Sequence, residues 1–110
     1  MNNNPRPVLL GYIRADVLRS ATKIRRVQAQ LASFAHREVF SLGTVYVEKG
    51  ASGGVFHSLM DELAHDEANW GVVVPDLRHL TVVEQLIWRT RGDASRTPLL
   101  IANHSRGQVT

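Results

Sequence analysis

Val8–Arg14 is an apolar run, Val-Leu-Leu-Gly-Tyr-Ile, closed by an arginine. A continuous apolar stretch of this length predicts a buried first strand. Residues 1–7 are polar and broken by two prolines, and they form a lead-in. From Ser20 the period changes. Ile24, Val27, Leu31 and Phe34 recur every three or four residues, while Lys23, Arg25, Arg26, Gln28 and Gln30 lie mostly off that stripe. The pattern predicts an amphipathic helix of about four turns, capped by Ser20 and fading near His36-Arg37. A second strand is expected over Gly43–Glu48.

Glu48-Lys49-Gly50-Ala51-Ser52-Gly53-Gly54 is a glycine-rich loop without the Gly-x-x-x-x-Gly-Lys-Ser/Thr order of a nucleotide-binding P-loop. Ser58-x-x-Asp61 resembles a capping box and predicts a short helix over Ser58–Asp66. Gly71-Val72-Val73-Val74 is wholly apolar and β-branched after its glycine, as in a central strand covered on both faces, and Pro75 ends its ladder. Thr81-x-x-Glu84 is a regular capping box opening a helix with Leu86, Ile87 and Trp88 that reaches about Thr90. Gly92-Asp93-Ala94-Ser95 is expected to turn the chain into a fourth strand, Pro98–Ala102. Four strands alternating with three helices predict a single α/β domain: an open, mostly parallel sheet flanked by helices and joined by right-handed crossovers. Residues 8–102 form that domain and 103–110 a polar tail.

A chain of 110 residues, 44% hydrophobic, supports one core. It has no cysteine, so disulfides, thiolate metal sites and cysteine nucleophiles are excluded. Its histidines, at 36, 57, 65, 79 and 104, show no HxxxH or HExxH spacing, and no metal or other cofactor is expected. No apolar run approaches the ~18 residues of a membrane span and no signal-peptide hydrophobic region opens the chain, so the expectation is a cytoplasmic protein with no membrane partner. The formal net charge is +3, and only Lys23 and Lys49 of the 13 basic residues are lysines. Such a mixed surface suits at most weak, non-specific and salt-sensitive contact with nucleic acid.

Tyr12-Ile13-Arg14-Ala15-Asp16 at the end of the first strand, followed by Leu31-Ala32-Ser33-Phe34-Ala35 on the first helix, resembles the N-terminal catalytic domain of serine recombinases, the resolvase and invertase family. That family carries Tyr-x-Arg-x-Ser and then Leu-x-x-(Tyr/Phe)-Ala. Glu48-Lys49-Gly50-Ala51-Ser52-Gly53 fits the family's acidic residue and Ser-Gly loop, and the likeness extends over Val8 to Ala102. The departures fall on the chemistry. Asp16 stands at the nucleophilic serine, and His57-Ser58 replaces an Arg-Pro pair. Where the family has Leu-Asp-Arg-Leu-Ser-Arg, this chain has Leu77-Arg78-His79-Leu80-Thr81-Val82, so His79 and Val82 occupy the positions of phosphate-binding arginines. The resemblance therefore implies a degenerate site at Tyr12, Arg14, Asp16, Ser52, Arg78 and His79, with only Arg14 kept among its charged groups. The family's later dimerisation helix and helix-turn-helix module do not fit into residues 103–110.

Phosphoryl transfer needs an activated nucleophile and several cations on the transferring phosphate. Ser20 and Ser52 are the substitute hydroxyls, but the first is more simply a helix cap and the second a turn residue. Asp16, Glu48 and Asp76 at strand ends could surround Mg²⁺, although pairing of Asp16 with Arg14 or Arg78 is preferred. The leading expectation is a catalytically inactive resolvase-like domain that self-associates or binds a protein partner as an interaction or regulatory module, with Phe56, Trp70 and Trp88 as candidate contact residues, although both tryptophans are more simply read as partly buried core. The alternative is an active serine recombinase or a metal-assisted phosphodiester-cleaving enzyme.

Overall fold

β1 (Val8–Arg14) runs through the middle of a four-stranded sheet, with β2 (Ser41–Glu48) on one side and β3 (Asn69–Val74) on the other. β4 (Leu99–Ile101) lies beyond β3, giving the order β2-β1-β3-β4 with every neighbour parallel. A single helical turn, α1 (Ala15–Leu18), and the long α2 (Ala21–Arg37) join β1 to β2. The later crossovers are α3 (Gly54–His65) and α4 (Val82–Ser95), the latter preceded by a 3-10 turn at Leu77–His79. The computed structural model describes residues 6–50, 53–66, 68–95 and 98–102; Ser52 and the tail 103–110 lie outside them. No helix among the described residues is long and apolar enough to cross a membrane.

The apolar runs in β1 and β3 follow from coverage of both sheet faces. Leu10, Tyr12, Val72 and Val74 pack with Phe56, Leu59 and Met60 of α3, with Trp88 of α4 and with Leu80. Leu9, Ile13 and Val73 point the other way, onto Leu31 and Ala35 of α2 and onto Ala102. Gly71 is fixed by a close approach, because a Cβ there would lie 2.7 Å from the Pro98 carbonyl oxygen that accepts from the Val72 N–H.

The predicted elements are present, with corrected boundaries. β2 begins at Ser41 and β3 at Asn69, each two residues earlier than their apolar runs suggest, while β4 keeps only Leu99–Ile101. α3 starts at Gly54, and Ser58 is an exposed mid-helix residue rather than a cap. Gly53, at φ 77°, makes the left-handed entry that glycine tolerates. The backbone of Gly92–Ser95 continues α4 instead of turning. Ser20 does cap α2, accepting from the Lys23 N–H at 3.0 Å, and Thr81 and Glu84 form the reciprocal box at 3.0 Å each way.

α2 ends in a Schellman arrangement: the Phe40 N–H donates to the Ala35 carbonyl at 2.7 Å and the Val39 N–H to that of His36 at 3.2 Å. The left-handed position between them is Val39, at φ 66° and exposed. Glycine is the usual occupant, because a β-branched side chain is strained there. Val39→Gly is expected to stabilise the protein by about 0.5–1 kcal/mol, the relief of left-handed strain exceeding the backbone entropy glycine adds to the unfolded chain. Urea unfolding checks it, and a lower midpoint in the variant would contradict it.

Candidate functional site

The strand order reverses between β1 and β3, and in open α/β sheets ligands bind outside the carboxyl ends of strands at such a switch point. Arg14 closes β1 there, and its backbone N–H donates to His79 Nδ1 at 2.8 Å, which draws the Leu77–His79 turn against the strand. Asp76 caps that turn by accepting from the Arg78 N–H at 2.9 Å, and the Arg78 guanidinium folds back onto the same carboxylate with two contacts of 3.0 Å. Arg14 clasps Asp16 in the same way, at 3.0 and 3.3 Å, and its Nη1 lies 3.9 Å from Glu84 Oε1. These pairings hold the carboxyls of Asp16 and Asp76 below their ordinary range, the hydrogen bond from the arginine being the leading cause in each.

Behind this edge lies a buried polar hub that local sequence patterns miss. The Tyr12 hydroxyl sits 3.3 Å from Glu48 Oε1 and 3.3 Å from Glu84 Oε2, with all three residues buried. Glu48 Oε1 also accepts from the Phe56 N–H at 3.2 Å, in the first turn of α3, where Gly53 offers no side-chain cap. Glu84 takes the Thr81 N–H at the start of α4. Each carboxylate thus satisfies an orphan donor at a helix N-terminus, where the macrodipole favours negative charge. Burial, reinforced by the Glu84 and Glu48 charges, pushes the Tyr12 phenol far above its ordinary value, so it is held protonated and acts as a donor. For Glu84 the only sequence signal was its place in the capping box. For Glu48 the signals were its place in the loop motif and its strand-end position, which suggested a metal ligand and not a partner for Tyr12.

Of the predicted site residues, Tyr12, Arg14, Asp16, Arg78 and His79 meet at this edge. Asp16, Glu48 and Asp76 do not form a cage for Mg²⁺, since each is engaged separately, and no group of three His, Cys, Asp or Glu among the described residues is placed to hold a metal. Ser20 is occupied as the cap of α2. His79 is fully buried; its Nδ1 accepts a hydrogen bond, which places the proton on Nε2, and Nε2 has no partner. Burial lowers its pKa, so it is a neutral imidazole at pH 7 and not a cation for phosphate.

The aromatic contact candidates need correction. Phe56 and Trp88 belong to the core between α3, α4 and the sheet, where shape filling claims their area. Trp70 is half exposed and stacks on Phe40, with ring centroids 4.9 Å apart. Besides Val39 and Trp70, the large exposed apolar residues among those described are Leu77 and, along the start of α4, Val82, Val83 and Leu86.

No family model, curated protein or solved structure matches this chain.

The buried imidazole gives a pH test. A group whose folded pKa is depressed contributes stability that is present above its unfolded value, about 6.5 for histidine, and lost as pH falls through the folded one. Stability in urea should therefore fall as pH drops from about 6.5 toward 5, before the depressed carboxyls of Asp16 and Asp76 begin to titrate. His79→Asn, which keeps an acceptor for the Arg14 N–H, should flatten that slope while lowering stability overall. An unchanged slope in the variant would show that His79 is not the responsible group.

Proposed function

We propose that this chain is a catalytically inert, resolvase-like domain that works as a protein-interaction or regulatory module. The observation that carries the reading is the occupation of both edge arginines by carboxylates of their own chain, Arg14 by Asp16 and Arg78 by Asp76. A transferring phosphate would have to displace a charge-assisted pair at each, and Asp16 at the position of the attacking serine repels it. The Tyr12 phenol is held protonated and the His79 imidazole neutral, so neither supplies a nucleophile or a cation. Losing one transition-state donor typically costs about 2.7–4 kcal/mol, and several are committed elsewhere.

The exposed face of α4 supports the interaction half of the proposal. Val82, Val83 and Leu86 are 74%, 64% and 56% exposed and share one side of the helix by their three- and four-residue spacing. Beside them runs a groove of about 250 Å³ lined by Leu77, Gln85, Trp88, Arg89 and Leu99. An apolar patch flanked by a concave groove suits a protein contact in which an apolar anchor fills the groove.

Two measurements test the two halves. Incubation with supercoiled or linear DNA, with or without Mg²⁺, should give neither nicking nor a covalent adduct, and Asp16→Ser alone should not restore either; an adduct from the natural sequence, lost on Ser20→Ala or Ser52→Ala, would overturn the inert reading. Sedimentation should show self-association that survives about 0.5 M salt, where the Debye length falls to roughly 4–5 Å, and Leu86→Glu should dissociate it. A monomer at every salt concentration would remove the second-copy reading of this face.

A further inference from the structure

Charge is segregated along this chain in a way that its net value hides. Residues 17–37 hold five of the thirteen cations, Arg19, Lys23, Arg25, Arg26 and Arg37, and no carboxylate. The remaining eight cations are set against ten carboxylates, so the formal +3 consists of +5 on this segment and −2 elsewhere. All five side chains are exposed, and no ion pair among the described residues involves them. Lys23, Arg26 and Arg37, with Gln30 and Ser33 between, follow a three-four-three-four spacing and so form one row along α2. The row is about 21 Å long at ~1.5 Å per residue. Arg6 adds a further cation beside the far end, its guanidinium donating to His36 Nδ1 at 3.3 Å.

The N-terminal part of this arrangement works against the helix that carries it, while Arg37 in the last turn does not. Cations near a helix N-terminus oppose the macrodipole, and α2 has no acid in its first turn. The residue whose N–H Ser20 caps is Lys23, the position where a glutamate would complete a capping box. The same chain does complete that box at Thr81 and Glu84. A local rule obeyed at α4 and broken at α2 points to a demand on α2 other than folding.

We infer that the outer face of α2 is a docking surface for the phosphodiester backbone of duplex DNA. Three of the four cations on α2 are arginines, whose planar fork suits phosphate, and between them lie the short Thr22, Ala29, Ala32 and Ser33 and the polar Gln30. A row of about 21 Å matches roughly six base-pair rises of ~3.4 Å. Recognition by such a row is of charge and not of sequence. This inference goes beyond the interaction-module reading and uses a different surface: α2 packs on the sheet face of Leu9, Ile13 and Val73, opposite the face that α4 covers.

The experiment is fluorescence anisotropy of a labelled 20-base-pair duplex against the full chain between about 50 and 200 mM salt, with Lys23→Glu, Arg26→Glu/Arg37→Glu and Leu86→Glu. The unsubstituted protein should bind with log K falling against log salt at a slope of about −2.7 to −4.5, as for three to five phosphate contacts. Arg26→Glu/Arg37→Glu should weaken binding at least about tenfold at 50 mM salt and reduce the slope by about two. Lys23→Glu should weaken binding while raising the Tm by a few degrees, opposite movements that loss of fold would not produce. Leu86→Glu should leave DNA binding by each protomer intact, so failure of the apolar-face reading is distinguishable from failure of this one. No binding at 50 mM salt, or affinity and slope unchanged in the α2 variants, would overturn the inference. So would α2 charge reversals that abolish low-salt self-association of the protein alone without touching DNA affinity, which would assign the face to an acidic protein surface.

Discussion

One phenolic proton joins the sheet to two helices. Tyr12 points to the α3/α4 side of β1 because strand side chains alternate, and that places its hydroxyl between Glu48 and Glu84. It can donate to only one of them at a time, so the hub persists because each carboxylate has another donor: the Phe56 N–H for Glu48 and the Thr81 N–H for Glu84. Two buried carboxylates would otherwise be costly. Here each doubles as the N-terminal anchor of a helix, and Arg14, two residues beyond Tyr12, brings compensating charge to the Glu84 side. A one-residue slip of β1 would aim Tyr12 at α2 and leave both carboxylates without the phenol. The register of the central strand and the docking of α3 and α4 are therefore one constraint.

That constraint governs what chemistry the sheet edge can support. Phosphoryl transfer wants cations that are free in the resting protein and a hydroxyl whose proton can leave. At this edge the cations are spent on Asp16 and Asp76, the hydroxyl of Tyr12 is spent on the hub, and His79 is spent as the acceptor that ties the 3-10 turn to β1. Each group is accounted for by holding the edge together. The proposed inertness and the cohesion of the edge then have the same origin, since the groups that make the edge self-sufficient are those that would have to be released for catalysis.

Most elements were legible because burial imposes period. The apolar runs of β1 and β3, the stripe through Leu31 on α2 and the two Ser/Thr caps all follow from local rules that the tertiary structure leaves in force. The start of α3 was not legible, because its acceptor comes from Glu48, across a glycine-rich loop, and Ser58 offered a false local substitute. Gly92–Ser95 reads as a turn by composition, but glycine inside a helix costs only about 1 kcal/mol and α4 continues through it. The second role of Glu84 was hidden because a capping box explains that residue fully without Tyr12. Phe56 failed as a contact candidate because a large aromatic is equally valuable to a core, the reading preferred for Trp88 and found there; Val82, Val83 and Leu86 were better candidates by phase, lying off the side of α4 on which Glu84 and Trp88 are buried.

Places where this chain disregards local preference are not scattered at random over it. Val82, Val83 and Leu86 expose apolar area on one sheet face, and the cation row of α2, which begins with Lys23 at the unfavourable helix end, lies on the other. Neither departure is needed by the hub, which is satisfied internally, nor by the two cores, which are closed by Trp88 and Leu80 on one side and by Leu31 and Ala35 on the other. On the readings proposed above, a domain whose opposite faces carry an apolar patch and a row of cations stands between two different surfaces. The sheet separates them, so apolar association on one face and phosphate contact on the other can occur together without competing for the same side chains.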